Sequence, residues 1–334
     1  MDQHIRVFAT SPRTQDFDSY WSGIRNVATF ADKHGFTGIL IFTGNDTHLD
    51  PWIVAQHILH QTSTLSPLIA VNPIYMHPFT AARMTASLTR LFNRKTYLNM
   101  ITGTALSSQE AMGDDISHDD RYLRLEEYIE FVKKLVGSTK PLKFVGKYYQ
   151  ANNLQLLPAI SAENMPEFLL AGQSDAARRV CIATNSTGLQ MLQPRLEEDL
   201  SNVRGIHFGV VTRESDEAAW EAARARFPVN RESQAVLEYS MLNTDSVWKR
   251  RLKAASEQVV AAENGYWLVP FSNYQADCPY LVGAYEYVFN RLQRLIAAGI
   301  TTFIFDFPGT EEEVLEEEFL HLSQVLRLSG TIRP

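Results

Sequence analysis

The sequence predicts an α/β protein, a single (β/α)8 barrel closed on itself. Three observations carry this. Strand-like and helix-like segments alternate along the whole chain, and eight such units fit within 334 residues. No strand runs into a Gly-x-Gly-x-x-Gly turn or a Walker loop, the marks of the doubly wound sheet that is the runner-up.

The elements follow in order. Residues 5–9 form a short apolar run. Residues 20–34 have helical spacing, with Ile24, Val27, Ala28 and Ala31 three and four apart and Gly35 as the stop. Residues 37–42 (TGILIF) are apolar on both faces, as in a buried parallel strand. Asp50 caps a helix that has Pro51 at its first position and runs to Leu59. The unit repeats as strand 67–71 with helix 81–91, strand 97–101 with helix 121–135, and strand 168–171 with helix 176–183. Strand 188–192 follows, then strand 206–211 with helix 214–226. Strand 302–305 lies between helices 285–298 and 311–328. At the last helix Thr310 and Glu313 have capping-box spacing, and the acidic clusters 311–313 and 316–318 read as a solvated face.

Two insertions interrupt the rhythm of the single domain 1–334: about 138–165, before strand five, and about 227–282, before the last helix. Residues 143–157 alternate apolar and polar about Gly146 and Asn152-Asn153, which predicts a hairpin. The end of the second insertion carries Tyr266, Trp267, Phe271, Tyr274 and Tyr280. Two readings stand: a surface excursion pinned by aromatics, or a lid over the barrel mouth, where loops build active sites.

Composition narrows the function. With 45% apolar and 21% charged residues the chain is neither disordered nor fibrous. A net charge of -7 argues against a nucleic-acid surface. No apolar run approaches the ~20 residues that span a bilayer, and residues 1–4 start no export signal, so a cytoplasmic protein is expected. Cys181 and Cys278 are too isolated for a disulfide framework or zinc site, and no metal ligand set is expected. The His57/His60 pair and the Asp114-Asp115 and Asp119-Asp120 pairs read as structural, the last opening a helix.

Polar residues at strand ends point to a ligand. Strand two ends in Thr43-Gly44-Asn45-Asp46-Thr47-His48, and Asn99 sits inside an apolar strand before Thr102. Strand five ends in Gly172-Gln173-Ser174-Asp175 at a helix N-terminus suited to an anion, and His207 interrupts strand seven.

Several segments share one further property. Ala70-Val71-Asn72-Pro73, PFTAARMTASLTRL (78–91), Asn99-Met100-Ile101-Thr102-Gly103 and His118-Asp119-Asp120-Arg121-Tyr122 come in this order. With residues 170–175, 213–220 and 299–303, they resemble the bacterial luciferase-like flavin monooxygenases, above all the alkanesulfonate monooxygenase branch. The resemblance implies a TIM barrel that binds FMN, as FMNH2 from a separate flavin reductase, and uses O2. One oxygen atom passes through a flavin (hydro)peroxide to a small organic substrate, and the protein is a homodimer or homotetramer.

Residue by residue, the resemblance assigns FMN contacts to Thr102, His118, Tyr122, Gln173 and Ser174, with Asn45 from the strand-two loop. Asn99 matches a strand-four Asn that faces the flavin and holds O2 or the peroxide; its alternative is a bond to a neighbouring strand end. For His118 the alternative is a helix cap. His48 and His207 are candidates for substrate-side acid–base or anion contacts. Departures from the branch are specific. Gly209 stands where the branch has His, His207 stands where it has Arg, and the strand-two loop lacks its Cys. The Arg- and Gly-rich loop is replaced by the aromatic stretch 265–280, so the cationic grip on a sulfonate is depleted. A deazaflavin (F420)-dependent oxidoreductase of the same superfamily and a non-catalytic flavin-binding barrel remain alternatives.

Overall fold

The computed structural model describes residues 5–103, 105–157, 159–194, 200, 203–229, 231–257 and 265–332, without the side chains of 231 and 232. Residues 1–4, on which the expectation about an export segment rests, lie outside the described residues. Eight parallel strands close into a ring: β1 (Arg6–Thr10), β2 (Gly38–Ile41), β3 (Leu68–Val71), β4 (Tyr97–Met100), β7 (Glu167–Ala171), β8 (Thr187–Met191), β9 (Val203–Arg213) and β12 (Thr302–Phe305). Pairing of β8 with β9 completes the barrel, in which all eight strands are those the sequence predicts.

The helices between them start where the sequence places acceptors. Asp16 caps α1 (Phe17–Lys33), and Asp50 caps α2 (Pro51–Gln61) by accepting from Trp52 N at 2.9 Å. α3 (Pro78–Phe92) follows β3. Ser117 caps α5 (His118–Val136), Ser174 caps α6 (Asp175–Ala183) and Ser215 caps α7 (Asp216–Arg226). Each such bond satisfies one backbone N–H that the helix leaves open, worth about 1 kcal/mol. His118 is therefore the first helical residue and not the cap. α11 (Tyr285–Ala297) and α12 (Glu312–Leu328) close the outer layer.

The Thr310/Glu313 capping box does not form. The cap position is Glu311, with no side-chain bond, which puts Thr310 outside the helix, its methyl beside Gly23. Nor is the acidic helix face wholly solvated: Glu318 is buried between Arg213 and Arg226.

Period-2 alternation sorts the strand residues into two sets. Val7, Ile39, Ile69, Leu98, Phe168 and Phe303 point out into the helix layer. Phe8, Leu40, Leu68, Tyr97, Leu169, Leu189 and Ile304 form an interior cluster, one from each of seven strands. The eighth, β9, contributes Gly205, where an added Cβ would overlap the Leu189 side chain. Truncating one of these large side chains would cost about 2–5 kcal/mol, since the surrounding barrel cannot collapse onto the gap.

The first insertion is the predicted hairpin, β5 (Leu142–Val145) with β6 (Gln150–Leu154), antiparallel. Its turn is held by Glu127 of α5, which accepts from the backbone N–H groups of Lys147, Tyr148 and Tyr149. The second insertion leads into α11, with β12 and α12 still to come. It forms α8 (Arg231–Leu242), α9 (Val247–Glu257), the short β10 (Tyr266–Trp267), α10 (Val269–Ser272) and β11 (Tyr280–Ala284). β11 pairs in parallel with the upper half of β9, from Gly209 to Arg213, so the sheet carries two strands outside the barrel ring. The aromatic-lid reading fails for most of its residues. Tyr266, Trp267, Phe271 and Tyr280 are buried, and of the five aromatics Tyr274 is the exposed one.

Candidate active site

One register above the interior cluster, the inward positions turn polar at the carboxyl ends of the strands: Thr10, Asn99, His207 and Asp306. Asn99 and His207 of this set floor a cavity of ≈ 1090 Å³ at the barrel mouth, larger than one drug-sized ligand occupies. The nine site residues predicted from sequence, Asn45, His48, Asn99, Thr102, His118, Tyr122, Gln173, Ser174 and His207, all line it.

At one end the backbone after β7 approaches α5 closely. A Cβ at Gly172 would lie 2.6 Å from the Tyr122 hydroxyl and 2.7 Å from Ala177 Cβ, so only Gly fits between them. Burial pushes the Tyr122 phenol pKa up, opposed by Thr102 and Ser174 beside its hydroxyl. Ser174 Oγ accepts from Ala177 N at 3.1 Å, and this cap residue brings the N-terminus of α6 to the cavity lining. The His118 ring lies 5.1 Å from that of Tyr122, its Nδ1 bonded to Asp119 at 2.9 Å. Gln173 is buried with neither amide atom hydrogen-bonded among the described residues, and Asn99 Oδ1 is in the same condition. Buried groups of this kind require a partner, and both face the cavity. The strand-end bond offered as the alternative for Asn99 Oδ1 is therefore not made. Asn45 instead bridges loops, accepting from Tyr75 at 2.8 Å.

The opposite wall is organised around a residue missed in the sequence analysis. Asp306, buried just past β12, accepts from Arg13 Nη2 at 2.6 Å and Tyr280 Oη at 2.8 Å. Burial opposes its ionisation, but Arg13, with His207 and Tyr280, holds its carboxyl well below the usual carboxylate range. His207 Nε2 is 3.9 Å from Asp306 Oδ1, in ion-pair range but without a hydrogen bond. Cys278 completes a group of one N, one S and one O ligand atom within 4.8 Å. Arg13 already neutralises that carboxylate, and burial with Asp306 pushes the Cys278 thiol pKa well up, so the thiol keeps its proton. His48 stands apart, its Nε2 donating to the Thr14 carbonyl at 2.9 Å, which leaves Nδ1 as the acceptor.

Cations also reach the cavity from places the sequence reading did not weigh. Arg13 follows β1, Arg226 ends α7 and Lys249 lies on α9, so the wall is not depleted of positive charge. Asp306 and Arg13 were legible by the rule that singled out the residues after strands two and five, a polar residue past a strand's carboxyl end. Lys249 and Arg226 carry no such local signal. α8 and α9 reach the mouth by pairing with the segment after β4, whose short helix is α4 (Leu106–Ala111). Leu106 N donates to Asn243 O at 3.1 Å, and Asp245 pairs with Arg121 of α5.

Comparison with known proteins agrees with this architecture. Residues 4–191 match the family model described as luciferase-like monooxygenase. A 4-(gamma-L-glutamylamino)butanoyl-[BtrI acyl-carrier protein] monooxygenase, BtrO of Niallia circulans, is 30% identical over 309 residues, covering 90% of this chain and 89% of that protein. Among solved structures, long-chain alkane monooxygenase (LadA) superposes with TM-score 0.76 at 14% identity, covering 100% of this chain and 93% of the other. The oxygenating constituent of 3,6-diketocamphane monooxygenase of Pseudomonas putida, in complex with FMN, gives 0.72 at 15%, covering 99% and 98%. At such identities the structures share a fold. Among the described residues no helix is long and apolar enough to cross a membrane.

Proposed function

This chain belongs to the luciferase-like monooxygenase family, and from that premise we propose that it is an FMN-dependent, two-component monooxygenase acting on a small organic substrate. The observation that carries the reading is the orphaned polarity of the cavity. Asn99 Oδ1 and both amide atoms of Gln173 are buried with no partner among the described residues, beside a hydroxyl pair and an open helix N-terminus. Those donors and acceptors fit a flat heterocycle carrying a phosphate.

Reduced FMN, when bound, supplies the electrons with which O2 delivers one oxygen atom to the substrate and one to water. The residues of the chain do the rest. Backbone N–H groups at the start of α6, with Ser174, the Tyr122 hydroxyl, His118 and Thr102, would hold the phosphate. Gln173 would offer a donor and an acceptor to the bound heterocycle, and Asn99 Oδ1 would accept from a donor at the cavity floor. His207 and His48 stand on the substrate side, where Nε2 of the first and Nδ1 of the second are the atoms positioned to take a proton. α8 and α9 wall off water, which strengthens each of these interactions. A separate flavin reductase supplies the reduced cofactor, and the protein works as a homodimer or homotetramer.

The test is a titration of purified protein with FMN and with anaerobically reduced FMN, then admission of air with a substrate panel. The panel includes acyl groups borne on a carrier protein, the substrate class in the name of the Niallia circulans relative. Tighter binding of the reduced form and oxygen uptake coupled to product are expected. No binding of either form overturns the FMN assignment, and binding of the deazaflavin in its place would support the other cofactor.

A further inference from the structure

The substrate-side wall of the cavity contains a buried ammonium that the fold leaves short of a counter-charge. Lys249, in the first turn of α9, is 7% exposed and lines the cavity. Its Nζ donates to Ser240 Oγ at 2.6 Å and lies 5.6 Å from the centre of the Tyr274 ring. Among the described residues no carboxylate comes within ion-pair distance, 4.0 Å or less, although Asp277 acts on it from farther away. An ammonium has three protons to give, and one hydroxyl takes one of them. A buried charge in that condition is costly unless something else completes its shell.

Its neighbours do not relieve it. Asp277 is committed to Arg13 Nη1 at 2.6 Å, and Arg13 Nη2 in turn holds Asp306 at 2.6 Å. At the far end of this wall Arg226 has a side chain only 10% exposed. Its Nη1 is 3.3 Å from Glu318, a carboxylate shared with Arg213, yet neither terminal nitrogen makes a hydrogen bond among the described residues. The wall thus keeps Arg226 turned to Glu318 and leaves Lys249 as the cation with unused protons. The same lining carries the apolar and aromatic side chains of Val236, Tyr239, Val247, Trp248 and Tyr274, interleaved with polar ones such as Ser240, Asn243 and Ser246.

We propose that this wall is a substrate-anion subsite: Lys249 is the anchor for the carboxylate of an organic acid whose apolar or aromatic body lies along α8, α9 and Tyr274. The inference rests on the monooxygenase reading for what then happens to the acid, but the binding itself does not require it. A carboxylate supplies acceptors that meet Lys249 without disturbing Ser240, and its charge replaces the missing partner. Selectivity then runs against the corresponding amide, which offers one acceptor and no charge and leaves the ammonium buried and unpaired.

The experiment compares 4-phenylbutyrate with 4-phenylbutyramide, and hexanoate with hexanamide, by calorimetric titration of the full-length protein. Each acid is expected to bind about tenfold or more tightly than its amide. In Lys249→Met, which keeps the apolar stem, acid and amide should bind within about twofold of each other, and Lys249→Arg should restore the preference for the acid. Equal binding of acid and amide to the wild type, binding of no acid, or a preference that survives in Lys249→Met each overturns the proposal. The wild-type comparison stands even if a variant fails to fold. The failure of the parent reading is separate: acid selectivity in a protein that binds no FMN leaves the subsite in place and removes the monooxygenase.

Discussion

The ring of Tyr280 stands where a side chain at position 209 would project. A Cβ added to Gly209 would come closer than 3.0 Å to three of its ring atoms, and its hydroxyl reaches Asp306 at 2.8 Å. Position 209, on the seventh strand of the ring, is thus occupied from outside the barrel, by the first residue of β11. Gly209→Ala should destabilise the protein by about 1–3 kcal/mol through overpacking. In a Tyr280→Leu background the same change should cost much less. Denaturant melts of the two singles and the double test this; an equal cost in both backgrounds would show that the ring is not the obstacle.

Asp306 ties Arg13, Tyr280 and His207 to one buried point. Asp306→Asn should cost about 3–5 kcal/mol at pH 7, because it leaves the Arg13 guanidinium without its buried partner. The carboxyl pKa is depressed in the folded protein, so its contribution is present above the unfolded value, about 3.9, and is lost as pH falls toward the folded one. The stability gap between wild type and variant should therefore be constant near neutrality and narrow below about pH 4. A gap that does not change with pH would contradict ionised Asp306 as its source.

Asn99→Ala should lower oxygenase turnover about tenfold or more while FMN affinity stays within about threefold. The thermal midpoint should not fall, since Asn99 Oδ1 has no hydrogen bond to lose. Oxygenation that survives the change intact removes the residue from the reaction.

Tyr122→Phe and Ser174→Ala should each weaken FMN about tenfold and leave riboflavin, which lacks the phosphate, within about twofold. Ser174→Ala should also cost about 1 kcal/mol of stability as the cap of α6 is lost. Parallel losses for FMN and riboflavin would move the phosphate elsewhere.

Glu127 is the fastener of the β5–β6 hairpin, holding three consecutive N–H groups. Glu127→Ala should cost about 1–3 kcal/mol and raise amide exchange at residues 147–149 selectively. Uniform exchange changes across the protein would argue for a global effect.

Local pattern determined much of this protein. The eight barrel strands and their helices follow from period and from caps such as Asp50 and Ser174. Strand parity brings Asn99 and His207 to the cavity, and carboxyl-end position brings Asn45, His48, Thr102, Gln173 and Ser174, both local properties; His118 and Tyr122, on α5, were singled out by the family resemblance and not by a local rule. What the tertiary structure alone decided lies in the second insertion. Residues 236–249 wall the cavity, while most of the aromatics of 265–280 are buried. Aromatic residues read the same in a lid and in a core until the packing partners are known. Glu318 was misread for that reason: its charge is solvated or buried according to whether Arg213 and Arg226 arrive beside it. Lys249 likewise carries no signal in the chain, since a buried ammonium short of a counter-charge is a relation between α9, Ser240 and the carboxylates that do not reach it.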